Sequence, residues 1–73
     1  MNEGQQKFHD YIMQHIDESQ NKIAEQLLAD SFSHQDDGTF NTEYLQDFIP
    51  KMLSLIKPES VNEVKAQMMQ YKP

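Results

Sequence analysis

The chain has 73 residues, of which 37% are hydrophobic and 25% charged, and it contains no cysteine. This length suffices for one domain with a lean core, which disulfides cannot stabilise. Twelve acidic residues against six lysines give a net charge of −6, and arginine is absent. Because such a charge repels a phosphate backbone and no guanidinium clamp can be built, we expect no nucleic-acid binding.

The apolar residues form neither a membrane-spanning segment nor a secretory signal, and this predicts the cellular location. No apolar run approaches the roughly 18 residues that a membrane span requires. Residues 1–20 also lack the continuous apolar segment of a secretory signal peptide. We therefore expect a cytoplasmic protein that does not associate with membranes.

A long first helix is predicted over about residues 4–32. Its apolar residues follow the three, four and seven spacing of a single helical stripe. They are Phe8, Tyr11, Ile12, Ile16, Ile23, Leu27, Leu28 and Phe32. We see no internal repeat in the sequence.

This stripe is interrupted at Ser19 and Gln20, where an apolar residue would be expected. One interpretation is a break, because Asp17 followed by Gln20 resembles a capping box that begins a new helix. The other is a continuous helix, supported by the Glu18 and Lys22 pair, which has the favourable i,i+4 order. We predict the continuous helix.

A turn is predicted over residues 33–41, followed by helix 2 over about 42–56. Asn41 is the expected N-cap residue, and Gly38 is a typical turn residue. Helix 2 has a wide apolar face, formed by Leu45, Phe48, Ile49, Met52, Leu53 and Ile56. Pro50 removes one backbone hydrogen bond, so we expect a kink there or a restart of the helix.

Helix 3 is predicted over about 58–71, with Pro58 in its first turn. Its narrow apolar stripe, Val61, Val64, Met68 and Tyr71, is suited to packing on one side only. The expected fold is all-α and forms a single domain over residues 1–73. We expect either a three-helix bundle or an extended antiparallel helical hairpin.

The sequence DGTFNTEYL at residues 37–45 resembles the second half of a calcium-binding EF-hand loop. Gly38 occupies the position of the sharp turn, Phe40 the hydrophobic position that follows it, and Asp37 the ligand position that precedes it. The resemblance implies a loop that binds calcium through side-chain oxygens. It covers about a dozen residues at most.

The rest of this loop departs from the EF-hand pattern. Ser33 and Gln35 occupy the first two ligand positions, and Tyr44 stands where the family has its bidentate glutamate. The alternative to an ordinary interhelical turn is therefore a degenerate calcium-responsive switch at 33–44. Its candidate oxygen ligands are Asp36, Asp37, Asn41 and Glu43.

The three histidines do not have the spacing of a helical metal site. His9 and His15 are six positions apart, and His34 lies in the predicted turn, so we interpret all three as solvated. The sequence also lacks a nucleophile motif and a glycine-rich phosphate loop. We expect neither catalysis nor a cofactor.

The leading hypothesis is a helical protein–protein interaction module that self-associates as a homodimer. A chain of this size without disulfides benefits from a partner, and the apolar face of helix 2 is wider than one packing helix requires. The candidate interface residues are Phe8, Tyr11, Ile12, Leu45, Phe48 and Met52. A third hypothesis is an acidic decoy for a basic groove, which rests only on the net charge.

Overall fold

Four α-helices dominate residues 2–70, the part of the chain that the computed structural model describes. They are α1 (Glu3–Gln14), α2 (Asn21–Asp37), α3 (Thr42–Leu53) and α4 (Val61–Gln70). Two 3-10 helices, Glu18–Gln20 and Pro58–Ser60, lead into α2 and α4. Within residues 2–70 there is no β-strand, and one isolated antiparallel bridge pairs Ile16 with Ile56. The predicted all-α class is confirmed.

The predicted continuous helix 1 is wrong, because the helix ends at Gln14 and a 3-10 helix begins at Glu18. Asp17 has extended backbone angles, and its carboxylate accepts hydrogen bonds from both the backbone N–H and the hydroxyl of Ser19. The break turns Ile16 into the core, where only 4% of it remains exposed. The break at Asp17 is therefore the correct interpretation, with Asp17 as an N-cap that bonds Ser19 rather than as a capping box with Gln20. Four helices replace the expected three in residues 2–70.

The predicted boundaries of the central turn and of helix 2 also change. Residues 33–37 are the last turns of α2, and the helix ends at Gly38, whose left-handed backbone (φ 77°) closes it. Asn41 caps α3 as predicted, since its side-chain oxygen accepts from the backbone N–H of Tyr44 at 2.9 Å. Helix α3 continues through Pro50 without a restart and ends at Leu53, because residues 54–57 turn towards the bridge. The predicted end of helix 3 at residue 71 lies outside the described residues.

An internal repeat that the sequence does not reveal is present in the structure. The unit α1, 3-10 helix, α2 has the same order as the unit α3, 3-10 helix, α4. Buried residues also correspond between the units at one constant spacing along the chain. The corresponding pairs are Ile12 with Met52, Ile16 with Ile56, Ala24 with Val64, and Leu28 with Met68. The two halves thus share the order of their elements and the spacing of these buried positions, and Ile is the residue at both bridge positions.

One apolar core joins the two halves. It contains Ile12, Ile16, Ala24, Leu28, Phe32, Phe48, Met52, Ile56, Val64 and Met68. All four helices contribute to it, together with the two bridge residues, so no helix acts only as a cover. Burial of these side chains is the main source of stability in a chain without disulfides.

Replacing Phe48 by alanine tests this core. Phe48 is 4% exposed, so Phe48→Ala should cost about 3–5 kcal/mol, since the lost burial and the new cavity add. Urea denaturation measures the change in the free energy of unfolding. Met69→Ala is the matched control, because Met69 is 73% exposed and should change stability by less than about 0.5 kcal/mol. Equal stabilities of the two variants would contradict the burial of Phe48.

Alanine substitution at the two glycines tests the end of α2, because the two changes in stability should differ in sign. Gly38→Ala should destabilise by about 1 kcal/mol, because a side chain is strained at φ 77° although nothing lies within 4 Å of the added carbon. Gly4→Ala, within α1, should be neutral or stabilising, since its added carbon makes only an ordinary 3.5 Å contact with Asn2. Thermal denaturation of both variants measures the difference. A Gly38→Ala protein as stable as Gly4→Ala would show that the left-handed turn is not formed.

Candidate functional site

The candidate functional site is an open groove between α2 and the end of α3. It has a volume of about 430 Å³ and is lined by Ile23, Gln26, Leu27, Asp30, Lys51, Ser54 and Leu55. We call this surface the α2–α3 groove. Two large apolar side chains are exposed among residues 2–70, Met69 at 73% and Ile23 at 52%, and only Ile23 lies at this groove. Ile23 lies beside Leu27 and Leu55 in this lining, and contiguous apolar surface with a polar rim is a feature of binding surfaces.

The groove arises because the apolar stripe of α2 is wider than α3 can cover. Ala24 and Leu28 point into the core and are fully buried, whereas Ile23 and Leu27, each one position earlier, lie at the edge of the stripe. Leu27 is half-buried and packs against the core. On the other side, α3 ends at Leu53, so the groove is completed there by the turn that contains Leu55.

The groove carries one charge of each sign. Lys51 lies on the α3 side and Asp30 on the α2 side, so the lining sums to zero in a chain whose net charge is −6. The hydroxyl of Tyr44 donates to the Asp30 carboxylate at 2.8 Å. Burial, followed by the interaction with Asp30, raises the pKa of Tyr44 well above its usual value. Tyr44 therefore remains a donor and holds Asp30 at the groove.

A second, smaller cavity lies where the four helices meet. It has a volume of about 120 Å³, and its lining includes Phe8, Phe40, Leu45, Phe48, Met68 and Met69. A volume of this order is comparable to cavities that hold a molecule of the size of benzene. It is large enough for one apolar side chain and too small for a helix, so we do not assign a partner to it.

The predicted interface residues separate into two groups. Ile12, Met52 and Phe48 are buried inside the chain, with 0%, 0% and 4% exposure, so they are core residues with no surface to offer a partner. Phe8 and Leu45 are half-buried and meet at the small cavity, and Tyr11 is half-buried with its ring 4.7 Å from that of His15. None of the six lines the α2–α3 groove.

The predicted interface took its helix 1 residues from the first part of the stripe, Phe8, Tyr11 and Ile12, and therefore missed Ile23 and Leu27. The available signal was local: Ile23 and Leu27 precede Ala24 and Leu28 by one position each, which widens the apolar arc of this helix. If the apolar arc of a helix is wider than its packing partner can cover, one edge of that arc stays exposed. Which edge is exposed depends on where α3 packs.

The four predicted oxygen ligands are distributed over two helix ends. Asp36 and Asp37 lie in the last turn of α2, Asn41 is the N-cap of α3, and Glu43 is in the first turn of α3. The side-chain oxygen of Asn41 is already a hydrogen-bond acceptor for Tyr44.

The segment that resembles an EF-hand loop does not form such a loop, because its first part is helical. The first two ligand positions, Ser33 and Gln35, are within α2, where consecutive residues point in different directions around the helix axis. Among residues 2–70 there is no group of three or more histidine, cysteine, aspartate or glutamate side chains that could hold a metal ion. The calcium hypothesis therefore has no geometric support in the described part of the chain.

The three histidines have partners, and the interpretation of all three as solvated is wrong. His9 Nε2 lies 2.7 Å from a carboxylate oxygen of Glu25, which links α1 to α2. His15 Nδ1 lies 3.1 Å from the Ser60 hydroxyl, which links the two halves of the repeat. His34 packs its ring against Tyr44, with 4.1 Å between ring centres.

Comparison with known proteins gives no relative. No protein-family model matches the chain, and neither a curated protein nor a solved structure is similar to it. Within residues 2–70, none of the helices combines the length and the apolar character required to cross a membrane. The functional interpretation therefore rests on the geometry of the described residues.

The His9 contact predicts a pH-dependent stability. The hydrogen bond with Asp10 (3.0 Å) raises the pKa of His9 above its usual 6.5; burial opposes this shift, and the contact with Glu25 adds to it. Because the folded-state pKa is the higher one, the stabilisation is complete below the unfolded-state value and is lost as the pH rises through the folded-state value.

The measurement is the difference in melting temperature between the native protein and His9→Gln, between about pH 5.5 and 8.5. The difference should be largest at the acid end and should shrink as the pH rises. Glu25→Gln is the companion variant, which removes the negative charge beside the ring and should weaken the same pH dependence. A difference that stays constant with pH would contradict the proposed charged contact.

Proposed function

We propose that this protein is a small helical protein–protein interaction module that self-associates through the α2–α3 groove and has no catalytic activity. The observation that carries the proposal is the 52% exposure of Ile23 at a groove to which Leu27 and Leu55 add further apolar surface. The polar residues Gln26 and Ser54 complete the lining. Apolar surface surrounded by polar residues is the usual composition of a binding face.

Energetics support a partner at this surface. Full burial of an isoleucine side chain contributes about 1.5–3 kcal/mol, so covering the exposed half of Ile23 contributes roughly half of that. A single core in a chain of this size supplies only about 3–5 kcal/mol. Burial of Ile23 therefore favours association, but Leu27 and Leu55 must contribute as well, because association costs several kcal/mol of translational and rotational freedom.

The charge distribution favours this surface over the rest of the molecule. A net charge of −6 opposes the approach of a second acidic copy and also opposes nucleic acid. The groove lining, with one lysine and one aspartate, does not contribute to this repulsion. It is therefore a surface at which two copies can meet at low electrostatic cost.

The proposal keeps the cytoplasmic location and the absence of chemistry that we expect from the sequence. The proposed absence of catalysis is supported by the histidines, whose side chains make structural contacts with Glu25, Ser60 and Tyr44. Fractionation of the source cells tests the location.

Ile23→Asp tests the interaction surface. Size-exclusion chromatography with light scattering, at concentrations from low to high micromolar, should give a dimer for the native protein and a monomer for Ile23→Asp. A buried carboxylate without a partner opposes association, whereas the monomer tolerates it because position 23 faces solvent. Circular dichroism should show unchanged helicity.

Met69→Asp is the matched control for this experiment. Met69 is more exposed than Ile23 but lies on α4, outside the α2–α3 groove, so the variant should keep the mass of the native protein. A native protein that stays monomeric at high micromolar concentration would disprove self-association. An Ile23→Asp protein that remains dimeric would place the interface elsewhere.

A further inference from the structure

We infer that the occupant of the α2–α3 groove is a second copy of this chain, related by a two-fold axis that runs along the groove, so that Asp30 of each copy pairs with Lys51 of the other. This inference rests on the proposed function and adds the register of the interface. It follows from the composition of the two sides of the groove and from their charges.

The two sides of the groove are chemically different. The α2 side presents Ile23, Leu27 and Asp30, and the α3 side presents Lys51 and Leu55. A two-fold axis along the groove places the α2 side of one copy on the α3 side of the other, and the same contacts then occur twice. Aliphatic side chains meet aliphatic side chains, and the acid meets the base.

Other orientations do not give this complementarity. A two-fold axis across the groove would pack α2 against α2 and α3 against α3 of the second copy. Asp30 would then have no Lys51 opposite it, and charges of one sign would share each side. For two copies that each carry −6, the arrangement with two opposite-charge contacts is the favoured one.

Both charged groups are available for a contact between copies. Lys51 is exposed and has no ion pair within residues 2–70, and the Asp30 side chain is 59% exposed. The Tyr44 hydroxyl donates to Oδ2 of the Asp30 carboxylate, and His34 Nε2 lies 3.7 Å from the same oxygen, so Oδ1 is the acceptor that remains for a lysine of the second copy. Tyr44 also fixes the orientation of this carboxylate, so less side-chain entropy is lost when a lysine binds it.

Charge exchange between the two positions tests the register. Asp30→Lys alone and Lys51→Asp alone each place like charges together twice per dimer, so each should weaken the dimer by about tenfold or more at low salt. The double variant, Asp30→Lys with Lys51→Asp, should recover most of the native affinity. An equimolar mixture of the two single variants should form a heterodimer, since both of its contacts join opposite charges. Sedimentation equilibrium measures each dissociation constant.

Matched variants separate the contact from general charge effects. Asp47→Lys and Lys65→Asp make the same changes of net charge at exposed positions outside the groove, and Tyr44→Phe removes the hydroxyl bond to Asp30 without changing a charge. Asp47→Lys should bind more tightly than Asp30→Lys, and Lys65→Asp more tightly than Lys51→Asp. Tyr44→Phe should bind more weakly than the native protein, because Asp30 is no longer held in position, but more tightly than either groove charge variant. Circular dichroism of each variant verifies that the monomer is folded.

The outcomes distinguish this register from the proposed function. If Ile23→Asp abolishes the dimer but the groove charge variants behave like their matched controls, the groove remains the interface and the Asp30–Lys51 register is wrong. Failure of the double variant and of the mixture to restore association would overturn the register as well. If the native protein is monomeric, the proposed function and this inference both fail.

Discussion

The contact between the two interhelical turns, at Ile16 and Ile56, is the interaction on which the rest of the fold depends. The backbone N–H of Lys57 donates to the carbonyl oxygen of His15 at 3.0 Å, and both isoleucines are buried. The first turn interrupts the segment that the sequence predicts as one continuous helix, and the second lies between the end of α3 and the 3-10 helix that begins at Pro58. The bridge holds the turn between α1 and α2 against the turn between α3 and α4. The apolar sides of the four helices then meet in a single core.

Polar contacts between distant segments complement this bridge. The Gln5 side-chain amide donates to the side-chain oxygen of Gln35 at 2.9 Å, which fixes α1 against the last turns of α2. The contact of His15 with Ser60 lies beside the bridge and joins the two repeat units. Because such groups are partly removed from water, their hydrogen bonds specify a single arrangement of the helices, even where each contributes little net stability. A lean core gains most from this specification.

The same architecture explains why the exposed apolar surface lies where it does. Helix α2 must be long enough to contact both α1 and α3, and its stripe is wide because it packs against both. The turn to the bridge ends α3 at Leu53, so one edge of the α2 stripe remains uncovered. Ile23 is thus exposed as a consequence of the geometry that buries Ile56. The proposed interaction surface and the core therefore have a common origin in the position of the bridge.

The sequence by itself determined the local features of this protein. Helical periodicity identified the helical segments and the all-α class, the side-chain chemistry of Asn41 identified a helix start, and Gly38 marked a chain reversal. These features depend on residues within a few positions of each other, so a linear pattern is sufficient to predict them. The tertiary structure alone decided whether the helix breaks at Asp17, where α3 ends, and which edge of α2 is exposed. Local energies left a continuous helix and a break nearly balanced around Asp17. The balance was decided by the burial of Ile16 against Ile56, a contact between residues too far apart in the chain for any local pattern to reveal.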